Sequence, residues 1–223
     1  CGTTPEYIEG LAKIAAKFGG TEASAKPLQE EKTLQVCSGN TVVTVDHVTV
    51  IGERINPTGK KRLKQALLDE DFDYILSQAI EQIDAGAEIL DVNVGVPSLD
   101  DVRMLPLVIK KLQSITGLPL QIDSGNPEAI EAALRVYNGK AIVNSVNGEE
   151  QVMKNILPLV KKYGAAVVGL TLDENGIPNK AEDRFAIAAR ILERALEYGI
   201  PRENVIIDCL TLTASAQQKE VVE

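Results

Sequence analysis

The chain has 223 residues, of which 44% are hydrophobic but only 4% are aromatic. Its formal net charge of −9 argues against nucleic acid and against an acidic membrane surface as the main partner. The three cysteines are widely spaced and odd in number, so they predict no disulfide framework and favour a reducing, cytoplasmic setting. No apolar run approaches the ~18 residues that would predict a membrane-spanning helix. The length suits one large α/β domain with an aliphatic core, plus a short additional segment.

The first predicted element is a helix over residues 5–18, where apolar residues recur at helical spacing and a proline occupies the first turn. Residues 19–34 are mostly polar and show no period, which predicts a linker. Residues 43–50 then alternate between valine and other residues on either side of Asp46 and His47. This alternation predicts a β-hairpin whose turn is formed by Asp46 and His47.

From residue 48 onwards, apolar runs alternate with amphipathic patterns, which predicts a parallel sheet covered by helices. The predicted strands lie at 48–53, 89–94, 120–123, 141–144, 165–171 and 205–208. The predicted helices lie at 72–85, 101–115, 127–137, 149–163 and 182–198. No strand is followed by a GxGxxG or GxxxxGK[ST] motif, so the dinucleotide-binding and P-loop folds are disfavoured and a (β/α) barrel is favoured.

Acidic and amide side chains stand at the carboxyl ends of five of the six predicted strands, where a (β/α) barrel places its functional site. In strand order they are Glu53 and Asn56, Asp91 and Asn93, Asp123, Asn144, and Asp208. Helix N-caps also favour Asp, Asn and Ser, and we expect Ser98 and Asn126 to be such caps. Asp123 differs because it lies in an apolar run. An unpaired buried carboxylate is costly, so Asp123 is predicted to have a partner in the protein or in a ligand.

This set of acids and amides contains no metal-ligand cluster and no Ser/His or Cys/His pair, which points to a neutral heterocycle rich in N–H donors. A pterin ring fits, because its 2-amino and N3–H groups form a flat edge resembling a guanidinium. One carboxylate can accept both hydrogens, as in a bidentate Arg–carboxylate pair. An amide such as Asn144 can donate to and accept from neighbouring ring atoms.

Five segments occur in the chain in this order: GERINPTGKK, ILDVNVG, LQIDS, AIVNSVNGE and VIIDCL. Together they resemble the pterin-binding barrel of cobalamin-dependent methionine synthases and of the free methyltetrahydrofolate:corrinoid methyltransferases. The opening CGTTPEYIEGLAKIA resembles the end of the homocysteine-binding barrel of those synthases, which favours them over the free transferases. The resemblance implies an α/β fold, a (β/α)8 TIM barrel of the pterin-binding type. It also implies that residues 1–18 end a homocysteine-binding domain, that 19–34 form a linker, and that 35–223 form the pterin-binding barrel.

The resemblance further implies that the barrel binds 5-methyltetrahydrofolate and presents its N5-methyl group to cob(I)alamin on a partner domain or corrinoid protein. Asp123 would pair with the amino edge of the pterin, and Asn144 and Asp208 with other ring atoms. Glu53 and Asn56 would shape the pocket beside the ring. Asn144 and Asp123 are the expected catalytic residues, because groups that favour a protonated N5 lower the barrier to methyl transfer.

The remaining implied roles are supporting ones. Asp91 and Asn93 are expected to support the ring pocket from the second strand. Cys1 would be one of three zinc thiolates of the homocysteine domain, whose other ligands would lie upstream, so an incomplete zinc site is expected. The basic run over residues 60–64 is interpreted as a solvated helix start, with contact to the glutamate tail of folate as the alternative.

Two alternatives stay open. A dihydropteroate synthase also binds pterin in such a barrel, but its first strand normally leads into Asn-x-Thr-Pro-Asp-Ser, whereas this chain has Asn-Pro-Thr-Gly-Lys-Lys at 56–61. The other alternative is an inactive folate-binding fragment. A closed barrel needs eight strands, so the sequence predicts truncation after about six βα units. It then predicts weak folate binding, association through an open edge strand and no measurable methyl transfer by this chain alone.

Overall fold

The computed structural model describes residues 4–18 and 32–211. Its helices are α1 (Pro5–Phe18), α2 (Lys61–Leu68), α3 (Phe72–Asp84), α4 (Asp101–Ile115), α5 (Pro127–Val136), α6 (Glu150–Tyr163) and α7 (Ala181–Glu197). Its strands are β1 (Leu34–Cys37), β2 (Val42–Val45), β3 (Ile51–Ile55), β4 (Ile89–Asn93), β5 (Leu120–Asp123), β6 (Ile142–Asn147), β7 (Ala166–Leu170) and β8 (Val205–Asp208). A short 3-10 helix, Arg202–Asn204, precedes β8. No helix within the described ranges is both long enough and apolar enough to span a bilayer.

The chain divides into two compact units, with the boundary between Lys32 and Thr33. The described part of the first unit is α1, which occupies the residues predicted for it. Its apolar residues Ile8, Leu11 and Ile14 share one face, and each is more than half exposed. Most of the predicted linker falls in residues 19–31, outside the described ranges, and β1 begins at Leu34.

In the described part of the second unit, β3 to β8 form one six-stranded parallel sheet in strict chain order. Each βα unit thus adds one strand beside the last, which is the order of a (β/α) barrel. The predicted strands and helices recur with their ends shifted by at most a few residues. The α/β class and the parallel sheet predicted from the sequence are therefore confirmed.

The sheet has an outer face against the helices and an inner face with a smaller core of its own. Alternate residues such as Leu90, Val92 and Ile122 join the main hydrophobic core between sheet and helices. The inner core consists of Leu34, Val36, Ile89, Ile142, Ala166 and Val168. Several of these residues are the first residues of their strands. The hairpin residues Leu34 and Val36 pack against them, so β1 and β2 cover the amino-terminal end of the inner face. The polar residues that follow on the same face are left at its carboxyl-terminal end.

The predicted hairpin is wrong in its pairing. β2 pairs antiparallel with β1, in the register Leu34↔Val45, and the turn lies at residues 38–41. There the Ser38 hydroxyl accepts hydrogen bonds from the backbone N–H groups of Asn40 and Thr41, both at 3.0 Å. Alternation identifies a strand but not its partner, and Ser-Gly-Asn is a stronger turn sequence than Asp-His.

The basic run at 60–64 begins a helix, as interpreted from the sequence. α2 buries Leu63, Ala66 and Leu67, whereas its basic residues lie on the opposite, solvated side. The helix itself was absent from the predicted elements, because its eight residues hold too few apolar positions for a clear period.

One of the two predicted helix caps is correct. Asn126 caps α5, and its side chain accepts from the N–H of Glu128 at 3.0 Å. Ser98 does not cap α4; Asp100 does, accepting from the N–H of Arg103 at 3.1 Å. A carboxylate two residues later is as good a cap as Ser, so composition alone could not choose between them.

Candidate functional site

Three polar residues from consecutive strands form a row on the inner face of the sheet. The register pairs Asn93 of β4 with Asp123 of β5, and Asp123 with Asn144 of β6. Inner-face residues recur every second position, so Asn93 and Asn144 lie beyond the apolar Ile89 and Ile142 on the same side. The row therefore sits at the carboxyl-terminal end of the inner face, above the core that the hairpin covers.

Asn93 and Asp123 are joined directly. The Asn93 Nδ2 group donates to Asp123 Oδ2 at 2.9 Å, and Asn93 Oδ1 accepts from the N–H of Gly95 at 2.7 Å. A Cβ atom at position 95 would stand 3.0 Å from Asn93 Oδ1, so glycine permits this close approach. Both ends of the Asn93 amide are thus engaged by protein, which makes it a support for Asp123. Within the described ranges, Oδ1 of Asp123 has no protein donor.

Asp91 lies under this row. It is 3% exposed, and its Oδ1 atom accepts from Nε2 of Gln121 at 2.6 Å. The nearby Asn144 amide also acts to lower the pKa of this carboxyl. The structure thus places Asp91 beneath the row, where it is hydrogen-bonded to Gln121, and leaves Asp123 and Asn144 as the half-buried upper members.

The carboxyl groups of the site influence one another. The pKa of Asp91 is raised to about 7, chiefly by burial and also by the charges of Asp123 and Glu53, whereas the Gln121 and Asn144 amides act in the opposite direction. Burial also raises the pKa of Asp123, with a contribution from Glu53 and against the hydrogen bond from Asn93. Two partly desolvated acids, Asp91 and Asp123, thus lie close to the exposed charge of Glu53. Such a site favours a ligand that brings N–H donors or positive charge.

Glu53 stands at the exposed side of this group. Nζ of Lys60 contacts its two carboxylate oxygens at 3.3 and 3.1 Å and its backbone carbonyl at 3.2 Å. In the same loop, Asn56 Oδ1 accepts from the N–H of Thr58 at 3.0 Å. The loop after β3 is thus folded back on itself beside the row, and Lys60 belongs to it rather than to the free basic face of α2.

Asp208 is separated from the row. It pairs with Leu170 of β7, so a whole strand lies between it and Asn144. Its Oδ1 atom accepts from the N–H of Leu210 at 2.7 Å, and its backbone carbonyl accepts from Thr171 Oγ1 at 3.0 Å. The carboxylate is exposed and is held by its own loop. The structure brings together the predicted residues of β3 to β6 but places Asp208 apart from them.

Cys1 lies outside the described residues. Within residues 4–18 and 32–211, no group of three or more His, Cys, Asp or Glu side chains could hold a metal ion.

Gln121 was not predicted as a site residue. The signal was present, because Gln121 is a polar residue inside the apolar run LPLQID and lies two positions before Asp123 on the same face. Its hydrogen bond with Asp91 depends on the register that places the two residues opposite each other.

An open cavity of about 560 Å³ lies beside the loop after β7. Its lining includes Ile187, Asp173 and Arg190, and the last two are ion-paired at 3.0 Å. None of its lining residues belongs to the polar row.

The model of the family described as "Pterin binding enzyme" matches residues 52–222, which include the whole parallel sheet except the first residue of β3. The chain belongs to this family of pterin-binding enzymes. It is 30% identical over 232 residues to a methionine synthase of Mycobacterium leprae (strain TN). It is 31% identical over 226 residues to a methionine synthase of Mycobacterium tuberculosis (strain ATCC 25618 / H37Rv). Each alignment covers 99% of this chain but 19% of the relative, so the chain spans about a fifth of their length.

Solved structures of dihydropteroate synthases have a similar fold. That of Xanthomonas albilineans in complex with 7,8-dihydropteroate gives a TM-score of 0.63 at 18% identity, over 85% of this chain and 70% of that chain. The same enzyme with 4-aminobenzoic acid gives 0.62 at 21% identity, over 84% and 69%. At such identities the likeness shows the fold alone, and it confirms the TIM-barrel-like fold of pterin-binding proteins.

Proposed function

We propose that this domain binds 5-methyltetrahydrofolate and presents its N5-methyl group to cob(I)alamin on a partner domain, as a step in methionine synthesis from homocysteine. The alignment of 99% of the chain with two methionine synthases supports this assignment. The observation that carries it is the row Asn93–Asp123–Asn144 at the carboxyl-terminal end of the sheet. The Asn93 donor is already engaged by Asp123, whose second carboxylate oxygen remains to accept from a ligand.

Recognition of the ring would follow from those acceptors. Oδ2 of Asp123 is bonded to Asn93, and Oδ1 remains to accept from the 2-amino or N3–H group of a pterin. Asn144, beside Asp123 in the row, can donate to and accept from neighbouring ring atoms. A ring edge carrying adjacent N–H donors satisfies the Asp123 carboxylate. A ring edge made of acceptors would leave that carboxylate unpaired, which is costly in a buried site.

The acids of the site would assist methyl transfer through charge. The bond from N5 to the methyl carbon breaks with its electron pair remaining on N5, so a protonated N5 leaves as a neutral amine. Cobalamin, when bound on its own domain, supplies the nucleophile. Asp123 and Glu53 raise the negative potential around the ring, which favours the protonated, cationic form of N5. Asn56, in the loop beside Glu53, would shape the adjacent wall of the pocket.

Residues outside the row have secondary roles in the proposal. Asp208 would reach other ring atoms with the carboxylate oxygen that is not bonded to Leu210. Residues 1–18 would correspond to the end of a homocysteine-binding domain, 19–34 to a linker and 35–223 to the pterin-binding barrel. Cys1 would be a zinc ligand of the homocysteine domain. Because its surroundings lie outside the described residues, zinc takes no part in the steps proposed for the barrel.

Calorimetric titration of this chain with 5-methyltetrahydrofolate tests the proposal directly. Saturable binding is expected, and methyl transfer to cob(I)alamin, followed by its absorbance, is expected from the full-length protein. Condensation of a dihydropterin pyrophosphate with 4-aminobenzoate would instead assign a dihydropteroate synthase. Absence of binding to any pterin would overturn the site itself.

A further inference from the structure

Gln82, near the end of α3, is a buried polar side chain that the proposed mechanism does not use. It is 5% exposed and shares the buried face of α3 with Ile75 and Ala79. Both ends of its amide are engaged. Oε1 accepts from the backbone N–H of Arg54 at 2.7 Å, and Nε2 donates to the carbonyl of Gln78 at 3.0 Å. Because a buried amide costs free energy that an apolar side chain does not, the bond to Arg54 points to a function on β3.

The bond from Arg54 starts at an irregular part of β3. Gly52 pairs with Leu90 and Ile55 with Val92, so three steps along β3 correspond to two steps along β4. The extra residue forms a β-bulge, in which Glu53 and Arg54 together lie opposite Asp91. A bulge disrupts the ladder of backbone hydrogen bonds, and Gln82 supplies an acceptor for Arg54 from behind the sheet.

The two ends of the bulge are fixed by packing on the helix side of the sheet. Ile55 is fully buried in the main core. At Gly52, an added Cβ atom would stand 2.7 Å from Oε1 of Gln82 and 3.2 Å from the Cβ of Ala87, so glycine permits the amide to approach the strand. Residues three positions apart in a regular strand point to opposite faces, so the extra residue is what allows both ends to face the helices.

Between these ends, Gln82 fixes the orientation of one peptide group. The N–H that it accepts belongs to the peptide that joins Glu53 to Arg54, so the bond also fixes the direction of the Glu53 backbone. Nζ of Lys60 holds the Glu53 carboxylate from the following loop, at 3.3 and 3.1 Å. Glu53 is therefore held at its backbone from behind the sheet and at its carboxylate from the rim.

We propose that Gln82 is a positioning residue for the pterin site: by fixing the peptide between Glu53 and Arg54, its amide oxygen sets the Glu53 carboxylate beside Asp91 at the edge of the polar row. The inference rests on the proposed pterin site. It adds to that site a residue on α3 that lies outside the ring pocket and acts on the ring only through Glu53.

Two substitutions break the contact from opposite sides. Gln82→Met removes the acceptor and keeps nearly the same side-chain volume. Gly52→Ala leaves Gln82 in place but moves its Oε1 away from Arg54, and Gly52 is not among the glycines with a positive φ, so alanine fits its backbone. Gln113→Met is the matched control. Gln113, on α4, accepts from the N–H of Asn138 at 2.7 Å in the same way, away from the polar row.

The first measurement is the dissociation constant of 5-methyltetrahydrofolate in the wild type and in a Glu53→Gln background. Gln82→Met and Gly52→Ala should each weaken binding about tenfold, the scale of one hydrogen bond to a charged group. In the Glu53→Gln background they should have little further effect, because the group that they misplace is already neutral. Gln113→Met should bind as the wild type does, whatever its melting temperature.

Three results of this measurement would overturn the proposal. They are wild-type affinity in Gln82→Met, equal losses in both backgrounds, and unfolding of both Gln82→Met and Gly52→Ala while Gln113→Met stays folded. The last result would make Gln82 a structural residue of the core.

The second measurement needs no ligand. The charge of Glu53 raises the pKa of Asp91, so carboxyl carbon NMR titration of the free protein should show a lower Asp91 pKa in Gln82→Met, as in Glu53→Gln, but not in Gln113→Met. Failure of every form to bind folate would reject the proposed function, and this titration would still decide the role of Gln82. An Asp91 pKa that Gln82→Met leaves at its wild-type value would overturn that role.

Discussion

Asp123 is a half-buried carboxylate whose only side-chain donor in the described part of the chain is the neutral amide of Asn93, at 2.9 Å. Burial raises its pKa, so the protein does not compensate its charge fully. A residue in this state gains most from a ligand that donates two hydrogens to it. Asp123 and its neighbour Asn144 are therefore the residues that we expect to recognise the ring.

Asp123→Asn tests this point. The variant retains the shape but replaces one acceptor by a donor that faces the N–H groups of the ring. We expect the affinity for 5-methyltetrahydrofolate to fall by about 2–4 kcal/mol, the scale for disrupting a charged hydrogen-bonded pair. Asp100→Asn is the matched control, because asparagine caps a helix as well as aspartate does. Equal affinity in wild type and Asp123→Asn would place the ring elsewhere.

Asn144→Ala separates recognition from stability. It removes an amide that is proposed to bond to the ring, so folate binding should be lost. The melting temperature should change little, because the residue is half-buried and Gln121 continues to bond Asp91. Melting curves and titrations on the same sample give both quantities. A large loss of stability with unaltered folate binding would instead make Asn144 a structural residue.

At the scale of elements, the β1–β2 hairpin closes the inner face from below. Leu34 and Val36 pack into the inner core, and Tyr137 Oη ties the hairpin to the barrel by donating to the Cys37 carbonyl at 2.9 Å. The same hydroxyl accepts from the N–H of Leu120 at 3.1 Å. The hairpin thus excludes water from the lower end of the face that carries the polar row.

Val36→Ala should weaken this closure. Val36 is fully buried, and deleting its two methyl groups should lower the free energy of unfolding by roughly 2 kcal/mol through lost burial and a small cavity. Urea denaturation measures the change. Val48→Ala is the control, because Val48 is 90% exposed and should have no measurable effect. Equal losses in both variants would show that the hairpin does not contribute to the core.

Arg184, in the first turn of α7, links two loops at the rim of the sheet. Its Nε donates to the Pro178 carbonyl at 2.7 Å, and its Nη1 donates to the carbonyls of Cys209 at 3.3 Å and Leu210 at 3.4 Å. The guanidinium group donates to the loop before α7 and to the loop after β8 at the same time. A lysine ammonium group has no equivalent planar geometry.

Arg184→Lys should therefore loosen the loop that holds Asp208. We expect faster amide hydrogen exchange at Leu210 and at Gly176, with little change in the melting temperature. Arg135→Lys, at an exposed ion pair on α5, serves as the control. Exchange rates that remain at wild-type values in Arg184→Lys would show that the loops are held by other contacts.

At the scale of the whole molecule, the polar site opposes stability. The Asp91 pKa is raised from an ordinary value near 3.8 to about 7, so the folded state binds more protons than the unfolded state between these values. Stability from this group is therefore present at low pH and is lost as the pH rises towards 7. The carboxyl group is buried where its ionised form is unfavourable, as is common for titratable residues of binding sites.

Asp91→Asn should accordingly stabilise the ligand-free protein at high pH. The difference in free energy of unfolding between variant and wild type should increase from pH 4 to pH 7 and then level off. Its upper limit is about 4 kcal/mol, from 1.36 kcal/mol for each unit by which the pKa is raised. Urea titrations at four pH values measure it. A difference independent of pH would contradict a raised pKa for Asp91.

Hydrophobic periodicity and chain order determined much of this protein from the sequence alone. The strands 120–123 and 205–208 and the helices 5–18 and 101–115 have the bounds predicted for them. Such features depend on neighbours a few positions apart, and alternating strands and helices with aliphatic cores have few ways to fold. The same one-dimensional order placed acids and amides at strand ends, because parallel strands all end at one edge.

Only the tertiary structure decided which of these polar groups meet. Asp91 and Gln121, like Asn93 and Asp123, are 30 residues apart, and their contacts depend on the register between β4 and β5. No local pattern encodes that register, just as alternation could not assign β1 as the partner of β2. Burial is also a property of the whole fold. It separates the covered Asp91 from the exposed Asp208, although both are aspartates near the ends of parallel strands.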